Sequence, residues 1–187
     1  LAIRVWGTIF VFRAQPELLA ERSKPVVQRG QPAADRALLI AFMAAYAALV
    51  AFASADATRL HLLGAPSDAV AATGLGLFAG GSVLVALAMR ENAFAVAVVR
   101  HQVERNHVVV STGPYAIVRH PFYAGLAALM PGIPLWLGSY AGAIASLVPI
   151  GILASRIVLE EKFLARRLPG YSEYAARVRS RLVPGIW

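Results

Sequence analysis

The chain contains no cysteine. A disulfide scaffold, a thiolate zinc site and a cysteine nucleophile are therefore excluded. Charge is scarce too. Only 15% of residues are charged, where a soluble domain averages roughly 25%. Lysine is nearly missing, with two against sixteen arginines, a usage typical of prokaryotic, GC-rich genomes. No G-x-S-x-G elbow is present, so a Ser-His-Asp hydrolase is disfavoured. No glycine pattern opens onto a phosphate: Gly74-Leu75-Gly76 lies inside an apolar run. His101, His107 and His120 lack a tight ligand spacing, and no metal site is expected. What the chain does hold is apolar: 58% of its 187 residues are hydrophobic. That excludes a disordered chain and fits one domain or a small helical membrane bundle.

The net charge is +8. A nucleic-acid partner is one reading of such a balance, but the placement of the charges argues against it. Ala37–Ala55, Ala69–Met89 and Phe122–Ser155 carry no charge at all. One bilayer crossing takes about 20 apolar residues. The first two runs thus predict one span each, and the third a hairpin of two, turning at Gly138-Ser139-Tyr140. Leu1–Phe12, apolar with one arginine, reads as the remainder of a first crossing. It is not read as a signal peptide, because no small-residue cleavage site follows it. The expectation is an all-α bundle of about five transmembrane helices.

Basic residues test this map. Arg13, Arg22, Lys24, Arg29 and Arg36 lie between the first two spans, and only Arg59 between the next two. Arg90, Arg100, Arg105 and Arg119 precede the hairpin, whose turn has none. Arg156, Lys162, Arg166, Arg167, Arg177, Arg179 and Arg181 end the chain. The alternation obeys the positive-inside rule and predicts a cytoplasmic C-terminus, in a prokaryotic inner membrane. Gly76–Gly80 and Gly138–Gly142 are small-xxx-small pairs, expected to pack helices within the bundle.

Two polar stretches gather unusual chemistry, Val98–Gly125 and Arg156–Trp187. In Arg119-His120-Pro121-Phe122-Tyr123, Pro121 predicts the first position of a helix with His120 as its cap. A helix N-terminus favours anions. The plainer alternative is a structural junction with a snorkelling arginine. Arg156 and Glu160 are four apart and share a helix face. Acids beside a membrane segment are costly unless solvated, paired or used. Glu160 could meet a cation and Arg156 an anion, or the two could simply pair with each other.

With these residues in view, the C-terminal half resembles the isoprenylcysteine carboxyl methyltransferases and their prokaryotic relatives. The resemblance rests on Gly113-Pro114-Tyr115, on Arg-His-Pro-x-Tyr-x-Gly from Arg119, on Arg156-x-x-x-Glu160-Glu161, and on Gly170-Tyr-x-x-Tyr followed by Val-x-x-Arg-Leu-x-Pro. It implies an integral-membrane methyltransferase using S-adenosyl-L-methionine, with a cytosolic C-terminal cofactor pocket and a lipophilic acceptor. It implies cofactor contacts from Arg100, His107, Val108, Val109, Val110, Tyr115, His120, Pro121, Phe122, Tyr123 and Glu160. Arg156 would meet the acceptor, and Arg156 and Glu160 would be the catalytic pair. The single domain 1–187 would then divide into a transmembrane part, 1–97, and a catalytic part, 98–187, which includes the hairpin 122–155. A carboxylate acceptor needs no general base; a thiol or amine would need one, with His107 or Glu161 as candidates. The alternatives are a sterol-reductase-like membrane reductase using a nicotinamide cofactor, and a non-enzymatic lipid-binding membrane protein.

Overall fold

The computed structural model describes residues 2–25, 27–28, 31–96, 98 and 105–187. All regular structure among them is helical. Helix α1 spans Ala2–Ala14 and α2 spans Pro16–Arg22. Helix α3, Ala33–Ala55, runs on into one wide turn, Asp56–Leu60. Helix α4 is Asp68–Glu91 and α5 is Pro121–Leu137. Short α6, Tyr140–Ala145, precedes α7, Leu147–Arg167, and α8, Tyr171–Arg177. Three stretches, Ala33–Leu60, Asp68–Glu91 and Tyr140–Arg167, are long and apolar enough to cross a membrane. Val5–Ala14 and Pro121–Leu137 are shorter apolar helices. The five expected apolar segments are therefore all helices.

Local chemistry sets the breaks. Pro121 opens α5, where its missing N–H needs no partner. Gly138 closes α5 with φ of 98°, in the left-handed region that glycine tolerates. Ser139 then caps α6, its Oγ accepting from the Gly142 amide at 2.8 Å. The second hairpin arm is not one helix, as the uncharged run suggested, but two pieces joined at Ser146. Pro149 explains the break, since in a continuous helix its ring would clash with the carbonyl four residues back, at residue 145.

Helix α5 lies along α4, with α1 on another side of α4 and α7 against α3. The close approach of α4 and α5 depends on glycines two turns apart on each helix. A Cβ on Gly81 would stand 2.7 Å from the Gly125 carbonyl oxygen, and one on Gly74 2.9 Å from that of Gly132. Gly74 and Gly81 thus face Gly132 and Gly125 in antiparallel register. This corrects the expectation for Gly76 and Gly80, around which a Cβ would meet nothing within 4 Å. Seven residues return a side chain to nearly the same helix face, whereas Gly76 and Gly80 lie on another. Gly142 does pack inside the bundle, against Ala53 and Pro134.

Each end of the bundle has its own fastening. At one end buried Asp56 accepts from Ser139 Oγ at 2.5 Å and from the Leu62 amide at 2.9 Å. At the other, Gln15 donates to the Arg90 carbonyl at 3.0 Å. The second end collects α2, α8 and the segment before α5.

Substituting Gly125 by Val is expected to destabilise the protein by about 1–3 kcal/mol, the range for overpacking, because the new atoms meet α4 backbone. Gly80→Ala should leave the melting temperature in detergent unchanged or slightly raised. Equal melting of Gly125→Val and the parent chain would refute this account of α4–α5 packing.

Candidate functional site

The polar stretches on either side of the hairpin meet at the end that carries α8. Glu161, near the end of α7, makes the junction. Its Oε1 accepts from Arg119 Nε at 2.6 Å and lies 3.1 Å from His120 Nε2. Its Oε2 accepts from Arg181 Nε at 2.8 Å. Arg119 also donates to the carbonyls of Val178 and Arg179, at 2.6 and 2.8 Å. The amides of Arg119 and His120 in turn donate to the carbonyls of Ser180 and Arg181, both at 2.9 Å. Tyr174 of α8 donates to the Tyr115 carbonyl at 2.8 Å. The C-terminal segment is thereby laid across the start of α5.

These contacts revise four readings. His120 occupies the N-cap position of α5, but its side chain makes no capping bond; the ring turns to Glu161 instead. Arg119 is buried and multiply bonded rather than snorkelling. Glu161 is held by two guanidiniums and an imidazole, so it is a poor candidate for a general base. Arg156 does not pair with Glu160 either. Its Nε donates to Asp35 Oδ1 of α3 at 2.8 Å. Asp35 is fully buried and Arg156 only 4% exposed. Gln31 donates to the second Asp35 oxygen at 2.7 Å. Glu160 accepts instead from the Tyr123 hydroxyl, at 2.7 Å.

Between the two stretches lies a cleft of about 830 Å³, its open mouth included. Its walls include His107, Val108, Val109, Val110 and Tyr115 from the loop before α5. His120, Phe122 and Tyr123 come from the start of α5, and Arg156 and Glu160 from α7. The structure thus brings together ten of the residues singled out from the sequence. Pro121 is buried at the head of α5 but does not face the cleft. Arg100 lies outside the described residues.

The cleft also has walls that the sequence reading missed. Asn92 and Phe94 follow α4, and Leu164, Leu168, Tyr171 and Tyr174 come from the end of α7 and from α8. Phe94 stacks on His107 with ring centroids 4.4 Å apart. The paired tyrosines of Gly170-Tyr-x-x-Tyr were visible in the sequence, but only as a marker of resemblance. Asp35 gave a weaker signal: an acid two residues ahead of an uncharged run is readily read as solvated.

The chemical character of the cleft is mixed in a specific way. Among the described residues one carboxylate, Glu160, faces a largely aromatic and aliphatic enclosure. The Tyr171 hydroxyl is buried, lines the cleft, and has no hydrogen-bond partner among the described residues. A buried polar group left unsatisfied costs about 1–3 kcal/mol, so this hydroxyl is suited to a ligand that supplies an acceptor. Burial raises the pKa of Tyr115 and Tyr171, with nearby Glu160 adding to the rise in both and Glu161 in Tyr171. Tyr174 is pushed up to about 12, chiefly by burial.

The sequence profile of the phospholipid methyltransferase family matches residues 69–169, from the start of α4 to just beyond α7. The chain belongs to this family. It is the membrane methyltransferase family that also holds the isoprenylcysteine carboxyl methyltransferases. No curated protein matches the chain. The membrane methyltransferase assignment agrees with the apolar helices and places most of the cleft inside the matched region. Arg119, His120, Tyr123, Arg156 and Glu160 all fall within it, whereas α1, α2, α3 and α8 lie outside.

Two outcomes follow for this family member. Glu161→Gln would leave Arg119 buried without its counter-ion and should lower stability by about 3 kcal/mol or more, seen as a lower melting temperature in detergent. Glu173→Gln, exposed on α8, should change nothing. The tyrosines supply a pH signature. Their folded-state pKa values are raised, so above pH 10 the unfolded chain holds fewer protons than the folded one. The stability they contribute is complete below pH 10 and is lost as pH rises through about 12. Ultraviolet tyrosinate titration alongside alkaline melts should show both; normal titration of all six tyrosines near pH 10 would refute it.

Proposed function

We propose that the cleft binds S-adenosyl-L-methionine and that the protein transfers its methyl group to a lipophilic acceptor, with isoprenylcysteine-like carboxylates and small lipid or thiol compounds as candidates. The observation that carries this reading is the meeting of Glu160 and nine other expected side chains around one cleft, inside the region matched by a methyltransferase family. When bound, the cofactor supplies an electrophilic methyl group on a sulfonium centre; the protein's part is position and electrostatic field.

The residues present suit such a ligand. Glu160 offers a carboxylate to its ammonium group, and the Tyr123 hydroxyl holds that carboxylate in place. The start of α5 offers a positive dipole end to its carboxylate. Tyr115, Phe122, Tyr123 and the three consecutive valines offer an apolar enclosure for its adenine. The Tyr171 hydroxyl offers one more donor. Arg156, fixed by Asp35 on α3, is placed to orient an anionic acceptor. Alignment of the two reactants can account for much of the rate of an in-line displacement. For a carboxylate acceptor no side chain has to take up a proton, which accords with the bonded state of Glu161.

On this reading, 98–187 is the catalytic part of a single domain, 1–97 serves mainly as its membrane support, and the cleft faces the cytoplasm of a prokaryotic cell. Glu160, the one acid lining the cleft among the described residues, decides the test. Glu160→Gln keeps an acceptor for the Tyr123 hydroxyl, so the fold should survive. Losing one charged hydrogen bond, worth about 1.5–3 kcal/mol, should weaken S-adenosylhomocysteine binding about tenfold or more. Calorimetry on the folded variant measures this, and unaltered affinity would overturn the proposal.

A further inference from the structure

A second cavity lies beside the first, enclosed by α1, α2, α4 and the start of α5. It measures about 760 Å³, open space included. Its walls are mostly aliphatic and aromatic, with Val11, Phe12, Val85, Met89 and Leu126 among them. Phe122 belongs to the walls of both cavities, so the two spaces adjoin at one ring.

Two polar groups stand in this apolar space, one a hydroxyl without a hydrogen-bond partner and the other a cation without a counter-ion among the described residues. The first is Ser82 of α4. It is 7% exposed, and its buried hydroxyl has no hydrogen-bond partner among the described residues. The second is Arg22, at the end of α2. Its Nη1 donates to the Ala95 carbonyl at 2.6 Å, and its guanidinium lies 5.2 Å from the centre of the Phe122 ring. Both partners are neutral. Among the described residues no carboxylate is within ion-pair distance of it, in contrast to Arg119, Arg156 and Arg181. A guanidinium partly withdrawn from water is costly without a counter-ion. An apolar cavity with a cation at its rim and one hydroxyl within it has the chemistry of an anionic lipid, chain inward and head group outward.

We propose that this cavity binds one hydrocarbon chain of an anionic lipid, with Arg22 holding the carboxylate or phosphate head group and the Ser82 hydroxyl available to a polar atom of the ligand. Given the methyltransferase reading, on which this clause rests, the occupant is the methyl acceptor. Arg22 then selects anionic over neutral acceptors at the rim of this cavity, while Arg156 orients the anionic group within the cleft. Arg22 lies well before the region shared with the family, so this selectivity belongs to the chain's own N-terminal part.

The test is equilibrium binding of tritiated palmitate, hexadecyl phosphate and hexadecanol to the full chain in nanodiscs of phosphatidylcholine. At least one of the two anions should bind tenfold or more tightly than the alcohol, and which one does so separates a carboxylate from a phosphate site. Arg22→Gln should abolish that preference and Arg22→Lys should keep most of it; the second variant serves should the first fail to fold. Ser82→Met, which fills the cavity, should weaken all three ligands. Equal binding of anions and alcohol by the parent chain, or an anion preference that survives Arg22→Gln, would overturn the proposal. Calorimetry with S-adenosylhomocysteine on the same nanodiscs tests the cofactor reading separately. Lipid selectivity without nucleotide binding would remove the acceptor role but not the lipid site.

Discussion

The arrangement of the cleft depends on one carboxylate. Glu161 gathers Arg119, His120 and Arg181, which come from the segment before α5, from its first turn and from the chain's last residues. A single acid among these cations leaves its neighbour Glu160, turned toward Tyr123, as the carboxylate presented to the cleft. The two adjacent acids thus divide their labour by direction. One is bonded to three cations that hold the walls together, and the other accepts from Tyr123 at the cleft.

The same economy of charge runs through the rest of the bundle. Arg156 is balanced by Asp35 across the full width between α3 and α7, which ties the N-terminal part to the family's region. Buried ion pairs of this kind add little net stability compared with apolar packing, yet are costly to break. They serve to fix relative position where apolar helices alone would slide. At the opposite end Asp56 and Ser139 do the same with a neutral partner. Between these fastenings the α4–α5 contact relies on glycine, because in lipid close packing replaces the hydrophobic effect as the force between helices. Against this background Arg22, with only neutral partners among the described residues, stands apart.

Much of this was legible in the chain itself. The uncharged runs gave five apolar helices, and Pro121 gave the start of α5 to the residue. The polar stretches at 98–125 and 156–187 marked most of the cleft, because His, Tyr, Arg and Glu clustered beside apolar runs are rare enough to stand out. Other features were not legible. The small-xxx-small rule pointed to Gly76 and Gly80, while the contact uses Gly74, Gly81, Gly125 and Gly132, whose pairing joins segments far apart in the chain. The break at Ser146 required Pro149 to be weighed against an otherwise continuous apolar run.

What the sequence determined alone is what hydropathy, proline and charge dictate locally: which segments are helices, where they begin, and that one end of the bundle is basic and chemically rich. What only the tertiary structure decided is which charge meets which. The pairing of Arg156 with Asp35, of Glu160 with Tyr123, and of Glu161 with three cations follows from helix orientation and approach. An ion pair spanning 121 residues leaves no periodic trace in the order of amino acids.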